Sequence, residues 1–109
     1  MREVVAKYEK SALAGDELQV AIDLALAEVL ADPEAAEELE QIGINASMDE
    51  SPSITAEERG VAPLIVAIVV AVGVDITKEG AKKLWRLVEK KLKNRKGRDV
   101  LTKEQLDDS

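Results

Sequence analysis

The sequence predicts a mostly α-helical fold, a compact bundle of four to five helices around an apolar central segment, with short terminal strands as a variant. Its 109 residues are enough for one small domain. One Trp, one Tyr and no Phe leave a core of Leu, Ile, Val and Ala, which favours packed helices over a β-sandwich. Two amphipathic segments also flank one fully apolar segment, and together the three can bury one another.

The first element with a clear helical periodicity is an amphipathic helix over residues 17–31. Before it, residues 3–8 fit either a short strand or a first helical turn, and we adopt the helical turn. Gly15 interrupts the pattern, and Asp16 with Gln19 three residues later has the spacing of a capping box. The predicted inner face of the helix consists of Leu18, Ala21, Ile22, Ala25 and Val29, widened by Leu26 and Leu30.

A short acidic helix should follow over residues 33–41. Asp32 can cap it, and Pro33 suits its first turn because proline lacks the N–H that a continuing helix would need. Residues 45–56 are polar and contain Pro52, which predicts a linker. Thr55 and Glu58 again have capping-box spacing, and we expect them to open a helical turn.

The apolar run over residues 61–74 can be interpreted in two ways. Its β-branched residues favour a strand, whereas its uniformly apolar character is also typical of a central buried helix. We adopt the helix as the prediction. Thr77 can then cap a final helix that ends near Gly97, and residues 99–102 form a short strand or a docked extension. The inner face of the final helix is Ala81, Leu84, Trp85, Val88 and Leu92.

Charge divides the predicted single domain, residues 1–109, into contrasting parts. The net charge is −11 over residues 1–60, +7 over 61–98 and −3 over the remainder. We therefore distinguish an acidic helical half, a polar linker, an apolar and basic helical half, and a tail. Their bounds are 1–44, 45–56, 57–98 and 99–109. The two halves can attract each other across a helix interface, or they can have separate fates as a leader and an active peptide.

The composition excludes most catalytic machinery. With no Cys and no His, the chain has no thiolate or imidazole metal ligand and no Ser-His or Cys-His pair. Its acidic clusters lack the order of a calcium-binding loop, and its glycines lack the spacing of a phosphate-binding loop. We therefore predict a protein without enzymatic activity, without a cofactor and without a metal site.

The basic helix over residues 78–98 supplies the candidate interaction surface. Helices with cations on one face and apolar residues on the other suit acidic protein grooves or anionic membranes. The alternative is an ordinary surface helix whose cations face the acidic half. A nucleic-acid partner is disfavoured by the net charge of −7 and by the lack of an aromatic platform. We expect a protein partner and leave a homo-oligomer open. The candidate residues are Lys82, Lys83, Trp85, Arg86, Lys90, Lys91 and Lys93.

Two family resemblances follow from these segments. The order Leu30-Ala-Asp-Pro-Glu, a Pro-containing linker, Val70-Ala-Val-Gly, and Leu84-Trp85-Arg86 in a basic helix resembles the bacterial effector-associated constant component family. This resemblance implies a small adaptor domain beside proteases and other effectors of bacterial conflict systems. The segment Val74-Asp75-Ile76 departs from it, because the family commonly has small residues there.

The second resemblance treats the two halves as separate products. Residues 30–36 with Ile42-Gly43-Ile44 are similar to leader regions of ribosomally made, modified peptides. Residues 69–73, with the cationic helix after them, are similar to the helical part of circular bacteriocins. This resemblance implies a precursor of a membrane-active peptide. No double-glycine cleavage signal separates the halves.

The sequence also leads to an expected location. The first twenty residues contain four acidic side chains and no continuous apolar stretch of the kind that a secretory signal has. The apolar run over 61–74 is shorter than the roughly 20 residues that span a bilayer. We expect a cytoplasmic protein, or, as a precursor, one exported after leader removal and directed to anionic membranes.

Overall fold

A computed structural model describes residues 2–13, 15–44, 52–59 and 65–107, and it shows an α/β fold. These residues form three helices and four strands. Their order is β1 (Arg2–Ser11), α1 (Gly15–Ala31), α2 (Pro33–Gln41), β2 (Ser53–Arg59), β3 (Ile65–Val72), α3 (Lys78–Lys96) and β4 (Leu101–Asp107). The prediction of a mostly α-helical bundle of four to five helices is therefore wrong.

The four strands form one antiparallel sheet in the order β2-β3-β1-β4. Val69 of β3 lies between Val5 of β1 and Thr55 of β2, and Lys7 of β1 faces Gln105 of β4. The strands β1 and β2 of the first part of the chain flank β3, and the strands β3 and β4 of the second part flank β1. The acidic and basic halves are interleaved in one sheet.

The hydrophobic core lies between one face of this sheet and the helices α1 and α3. Alternate residues of β1 and β3 point into it, as the two-residue period of a strand requires. Trp85, Ile22 and Leu84 pack against them from the helices. The core residues of β1 and β3 are Val4, Ala6, Tyr8, Val66, Ile68, Val70 and Val72.

The apolar central segment is a strand, β3, and the interpretation of residues 61–74 as a helix is wrong. Only Ile65–Val72 of that run are described as β3. Six of the eight residues of β3 are buried and the other two are intermediate, so this central strand shows no alternation of apolar and polar residues. Stiff, β-branched valine and isoleucine side chains suit such a central position. Residues 3–8 likewise belong to a strand, β1, and not to a helical turn.

Two further boundaries need correction. The predicted linker 45–56 overlaps β2, which begins at Ser53, while residues 45–51 lie outside the described part of the chain. Thr55 and Glu58 are strand residues and open no helix. The acidic half 1–44 is only partly helical, because β1 opens it. In the tail, β4 begins at Leu101, within the segment for which a short strand was one of two interpretations.

The predicted inner face of α1, the caps of α2 and α3, and the end of α3 are confirmed. The buried residues of α1 are the five of its predicted inner face. The Asp32 side chain accepts from Glu34 N at 3.0 Å and caps α2, and the Thr77 hydroxyl accepts from Gly80 N at 3.0 Å and caps α3. Gly97 ends α3 with φ of 99°, in the left-handed region that favours glycine.

Gln19 has a role other than the predicted capping box. Helix α1 begins at Gly15, so that Asp16 lies inside its first turn. The Gln19 amide contacts the outer edge of β2: Nε2 donates to the Ile54 carbonyl at 2.9 Å, and Oε1 accepts from Ala56 N at 2.8 Å. These bonds satisfy two backbone groups of an edge strand and fix α1 against β2.

Candidate interaction surface

The predicted surface residue Trp85 lies in the core. Only 2% of it is exposed, so its inclusion in the interaction surface is wrong. Its indole Nε1 donates to the Tyr8 hydroxyl at 2.9 Å, and that hydroxyl donates to Glu89 Oε2 at 2.5 Å. The two rings meet edge to face with centroids 6.3 Å apart. Buried Trp and Tyr need such partners for their polar ends, and each supplies the other.

Two of the predicted surface cations, Arg86 and Lys93, pair with the buried Glu89. Arg86 Nη1 donates to Glu89 Oε1 at 3.1 Å, and Lys93 Nζ lies 3.9 Å from Oε2. Burial of a carboxylate is costly unless charges and hydrogen bonds compensate it, which these three side chains do. Arg86 and Lys93 therefore support the core beside β1. Local sequence patterns could not reveal this network, because Tyr8 is 81 residues from Glu89.

The opposite edge of α3 faces the acidic helices. Lys91 Nζ lies 3.2 Å from Asp32 Oδ2, and Arg95 Nε donates to Glu28 Oε1 at 3.0 Å. The hydrogen bond from Arg95 lowers the pKa of Glu28, and the hydrogen bonds from Lys91 and from Glu34 N lower the pKa of Asp32. These pairs support the ordinary interpretation of the basic helix, in which its cations face the acidic half.

We expect the Glu28–Arg95 pair to be visible in an acid titration. Because the folded-state pKa of Glu28 is below its ordinary value of 4.5, its contribution to stability is present above pH 4.5 and is lost as the pH falls through the folded-state pKa. NMR titration of the Glu28 carboxyl in wild type and in Arg95→Gln measures this. The pKa should rise in the variant, while an unchanged pKa would mean that the pair does not form.

Lys82, Lys83 and Lys90 complete the predicted cations. Lys82 and Lys83 are half-buried, and Lys90 is exposed. Lys90 lines a groove of about 420 Å³ between α2 and α3, opposite Glu37 and Glu38. Cations and carboxylates are mixed in this groove. The predicted basic surface is thus divided among the core network, the contact with α1 and α2, and this mixed groove.

A second groove, which we call the α1 groove, lies beside the first half of α1. It has a volume of about 330 Å³. The pairs of Lys91 with Asp32 and Arg95 with Glu28 show that α3 follows the second half of α1. Since α3 ends at Lys96, it does not continue along the first half. The groove is lined by Leu13, Asp16, Glu17, Val20, Ala21, Leu24 and Lys96.

The apolar floor of the α1 groove is open to water. Val20 is 59% exposed and Leu24 is 48% exposed, although both are large apolar residues. They lie four residues apart and so lie on the same side of the helix. Sequence reasoning missed them because it followed only the inner face of residues 17–31. The available signal was that two large apolar residues fall outside that face.

The α1 side of the groove is acidic, whereas the last turn of α3, which contributes Lys96 to the lining, is basic. Helices α1 and α2 each contain four Asp or Glu residues, and neither contains Lys or Arg. The sequence has no Lys or Arg anywhere over residues 11–58. At the groove itself, Asp16 and Glu17 are exposed, and the cation in its lining is Lys96 of α3.

The described residues hold neither a metal-binding cluster nor a membrane-crossing helix. No group of three or more Asp and Glu side chains converges there in a manner that could hold an ion. None of the helices in the described ranges combines the length and apolar character that a bilayer crossing needs. The arrangement of the α1 groove, apolar within and charged at its rim, suits the binding of another molecule.

Comparison with known proteins identifies the fold. No protein-family model and no curated protein matches the sequence. Among solved structures, the chain is similar to a de novo designed protein with a ferredoxin fold, determined by solution NMR. The TM-score is 0.51 at 17% sequence identity, with 100% of this chain and 88% of that chain covered. This likeness shows the fold alone: a compact ferredoxin-like α/β arrangement.

Proposed function

We propose that this chain is a small, non-catalytic protein–protein interaction module that binds its partner at the α1 groove. The adaptor role in a bacterial effector or conflict system, which the sequence resemblance implies, is part of the proposal. The observation that carries it is the exposure of Val20 and Leu24 beside an acidic rim. Contiguous apolar residues inside a polar rim are typical of protein-binding sites.

Val20 and Leu24 are not part of the hydrophobic core. Leu18 and Ile22, on the other side of α1, are buried and hold the helix against the sheet. Burial of an exposed apolar side chain contributes roughly 25 cal/mol per Å² of area removed from water. A partner that covers Val20 and Leu24 would gain this free energy, which the free protein leaves unused.

Two other surfaces support a protein partner less well. On the sheet face opposite the helices, the central residues are small or covered: Ala67 is 0% exposed and Val69 is 9% exposed. Six of the ten residues that line the groove between α2 and α3 are charged, and none of the exposed large apolar residues of the described chain lies in that lining. Neither surface offers an apolar anchor comparable to Leu24.

The sheet topology favours an intact module over a peptide precursor. A leader and its product should be separable, yet β1 of the acidic half lies between β3 and β4. Removal of residues 1–60 would take away β1 and β2, which are the described neighbours of β3, and β1 is also the described neighbour of β4. We therefore place the precursor of a membrane-active peptide second. The module would act in the cytoplasm, and fractionation of cells that express a tagged chain tests this location.

Leu24→Glu should abolish or strongly weaken partner binding. The experiment first tests the proteins encoded beside this chain for binding to the wild type, and binding by none of them would contradict the adaptor role. The affinity of the variants for the protein that binds is then measured by isothermal titration calorimetry. A carboxylate in the apolar floor would be buried without a partner, so we expect a loss of at least about tenfold, or 1.4 kcal/mol.

Leu30→Glu is the matched control. Leu30 is on the same helix and is 45% exposed, close to the 48% of Leu24, but it does not line the α1 groove. Both variants add one negative charge to α1. Equal affinities of the two variants would contradict the proposed site, whether both bind well or both bind poorly.

A further inference from the structure

We infer that the occupant of the α1 groove is a basic amphipathic helix of another protein. Its apolar side chains would contact Val20 and Leu24, and its Lys or Arg residues would lie beside Asp16 and Glu17. This inference rests on the proposed function and specifies the chemistry of the partner. It follows from the shape and the charge of the groove, and from the packing of the chain's own basic helix, α3, against the second half of α1.

The shape of the groove suits a helix. One wall is a regular helix that presents apolar side chains four residues apart, and Leu13 closes the groove near the start of α1. Grooves of this kind accept an amphipathic helix whose anchors recur at three- and four-residue spacing. The position is also one that a helix already occupies farther along α1, where α3 packs against its second half.

The charge of the groove selects a basic partner. Asp16 and Glu17 lie in its lining together with one cation, Lys96, so the lining has a net negative charge, and α1 itself contains no Lys or Arg. Opposite charges at the rim speed association and discourage partners of the same sign. At physiological salt, with a Debye length of about 8 Å, carboxylates this close to the bound helix still act on it.

A second copy of the chain cannot supply this occupant in its folded form. The basic amphipathic helix of the chain is α3, and its apolar residues Leu84, Val88 and Leu92 are buried in the core. The exposed large apolar residues outside the groove, Leu30 and Val74, lie on different elements and form no stripe. The occupant is therefore a helix from a different protein.

Two synthetic peptides of about 18 residues test the inference, since shorter helices are marginal in water. One carries Leu at helical spacing with Lys elsewhere, and the other has Glu in place of every Lys. Fluorescence anisotropy of labelled peptide measures binding to the full chain at physiological salt. We expect the Leu-Lys peptide to bind in the micromolar range and the Leu-Glu peptide to bind at least about a hundredfold more weakly.

Neutral variants separate the groove from general attraction to an acidic protein. Leu24→Ser should lower the affinity for the Leu-Lys peptide at least about fivefold, whereas Leu30→Ser should change this affinity less than about twofold. Equal binding to both variants would show attraction to the net charge alone and would overturn the inference. Equal affinities of the Leu-Lys and Leu-Glu peptides would also overturn it.

Failure of this inference is distinguishable from failure of the proposed function. In one outcome the Leu-Lys peptide does not bind wild type, while Leu24→Glu no longer binds the effector and Leu30→Glu still binds it. The inferred partner chemistry is then wrong, and the proposed interaction module stands. If the effector binds Leu24→Glu and wild type equally, the α1 groove is not the docking site. A bound Leu-Lys peptide would not rescue the proposed function in that case.

Discussion

Ile22→Asp and Leu84→Asp should each lower the free energy of unfolding by at least about 3 kcal/mol. Ile22 of α1 and Leu84 of α3 are fully buried on the side of the helices that faces the sheet. Each substitution removes an apolar side chain and places a carboxylate where no cation is available in the core. Such a loss is a large part of the stability of a small domain, and either variant could be largely unfolded at 25 °C.

Urea denaturation followed by circular dichroism measures this effect. Leu30→Asp on the exposed side of α1 is the matched control and should change the free energy of unfolding by less than about 1 kcal/mol. Wild-type midpoints for Ile22→Asp and Leu84→Asp would mean that these helix faces are not buried. That result would contradict the packing of both helices on the sheet.

The second large effect is the loss of the fold in a fragment of residues 61–109. This fragment lacks β1 and β2, so β3 loses both of its neighbours and β4 loses β1. Unpaired strands and an uncovered core favour aggregation over folding. We expect no cooperative thermal transition, whereas mixing with a fragment of residues 1–60 should restore one, because the two fragments together contain all four strands.

The same fragment distinguishes the intact module from the peptide precursor. A membrane-active product should be soluble alone, should gain helix on anionic vesicles and should shift its Trp85 emission to the blue, with binding weakened by salt. A soluble, vesicle-permeabilising fragment of residues 61–109 would contradict the interleaved module. An aggregated or unfolded fragment that residues 1–60 rescue supports it.

The sequence predicted the helices better than the strands for a physical reason. The inner face of α1 repeats at a period that only a helix satisfies, and the caps Asp32 and Thr77 have local spacing that needs no tertiary information. The strand β3 lacks alternation because neighbouring strands and the helices bury it. Its pattern alone could not separate a central strand from a buried helix. Its β-branched composition was the better guide.

The candidate site was harder to predict from the sequence than the fold was. Counting charges located the basic helix, but it could not show that Arg86 and Lys93 contact Glu89 or that Lys91 contacts Asp32. Trp85 was predicted both on the inner face of the final helix and among the surface candidates, and its hydrogen bond to Tyr8, 77 residues away, could not be predicted from local spacing. The α1 groove depends on where α3 ends in space, which helical periodicity does not specify. The apolar Val20 and Leu24, outside the inner face, were the one local sign of it.

Backbone amide NMR of the full chain, titrated with its effector partner, tests the docking site most directly. We predict that the largest shift changes cluster at Leu13, Glu17, Val20, Leu24 and Lys96, which line the α1 groove. Changes confined to the basic face of α3, at Lys82, Lys83, Arg86 and Lys90, would contradict the proposed site.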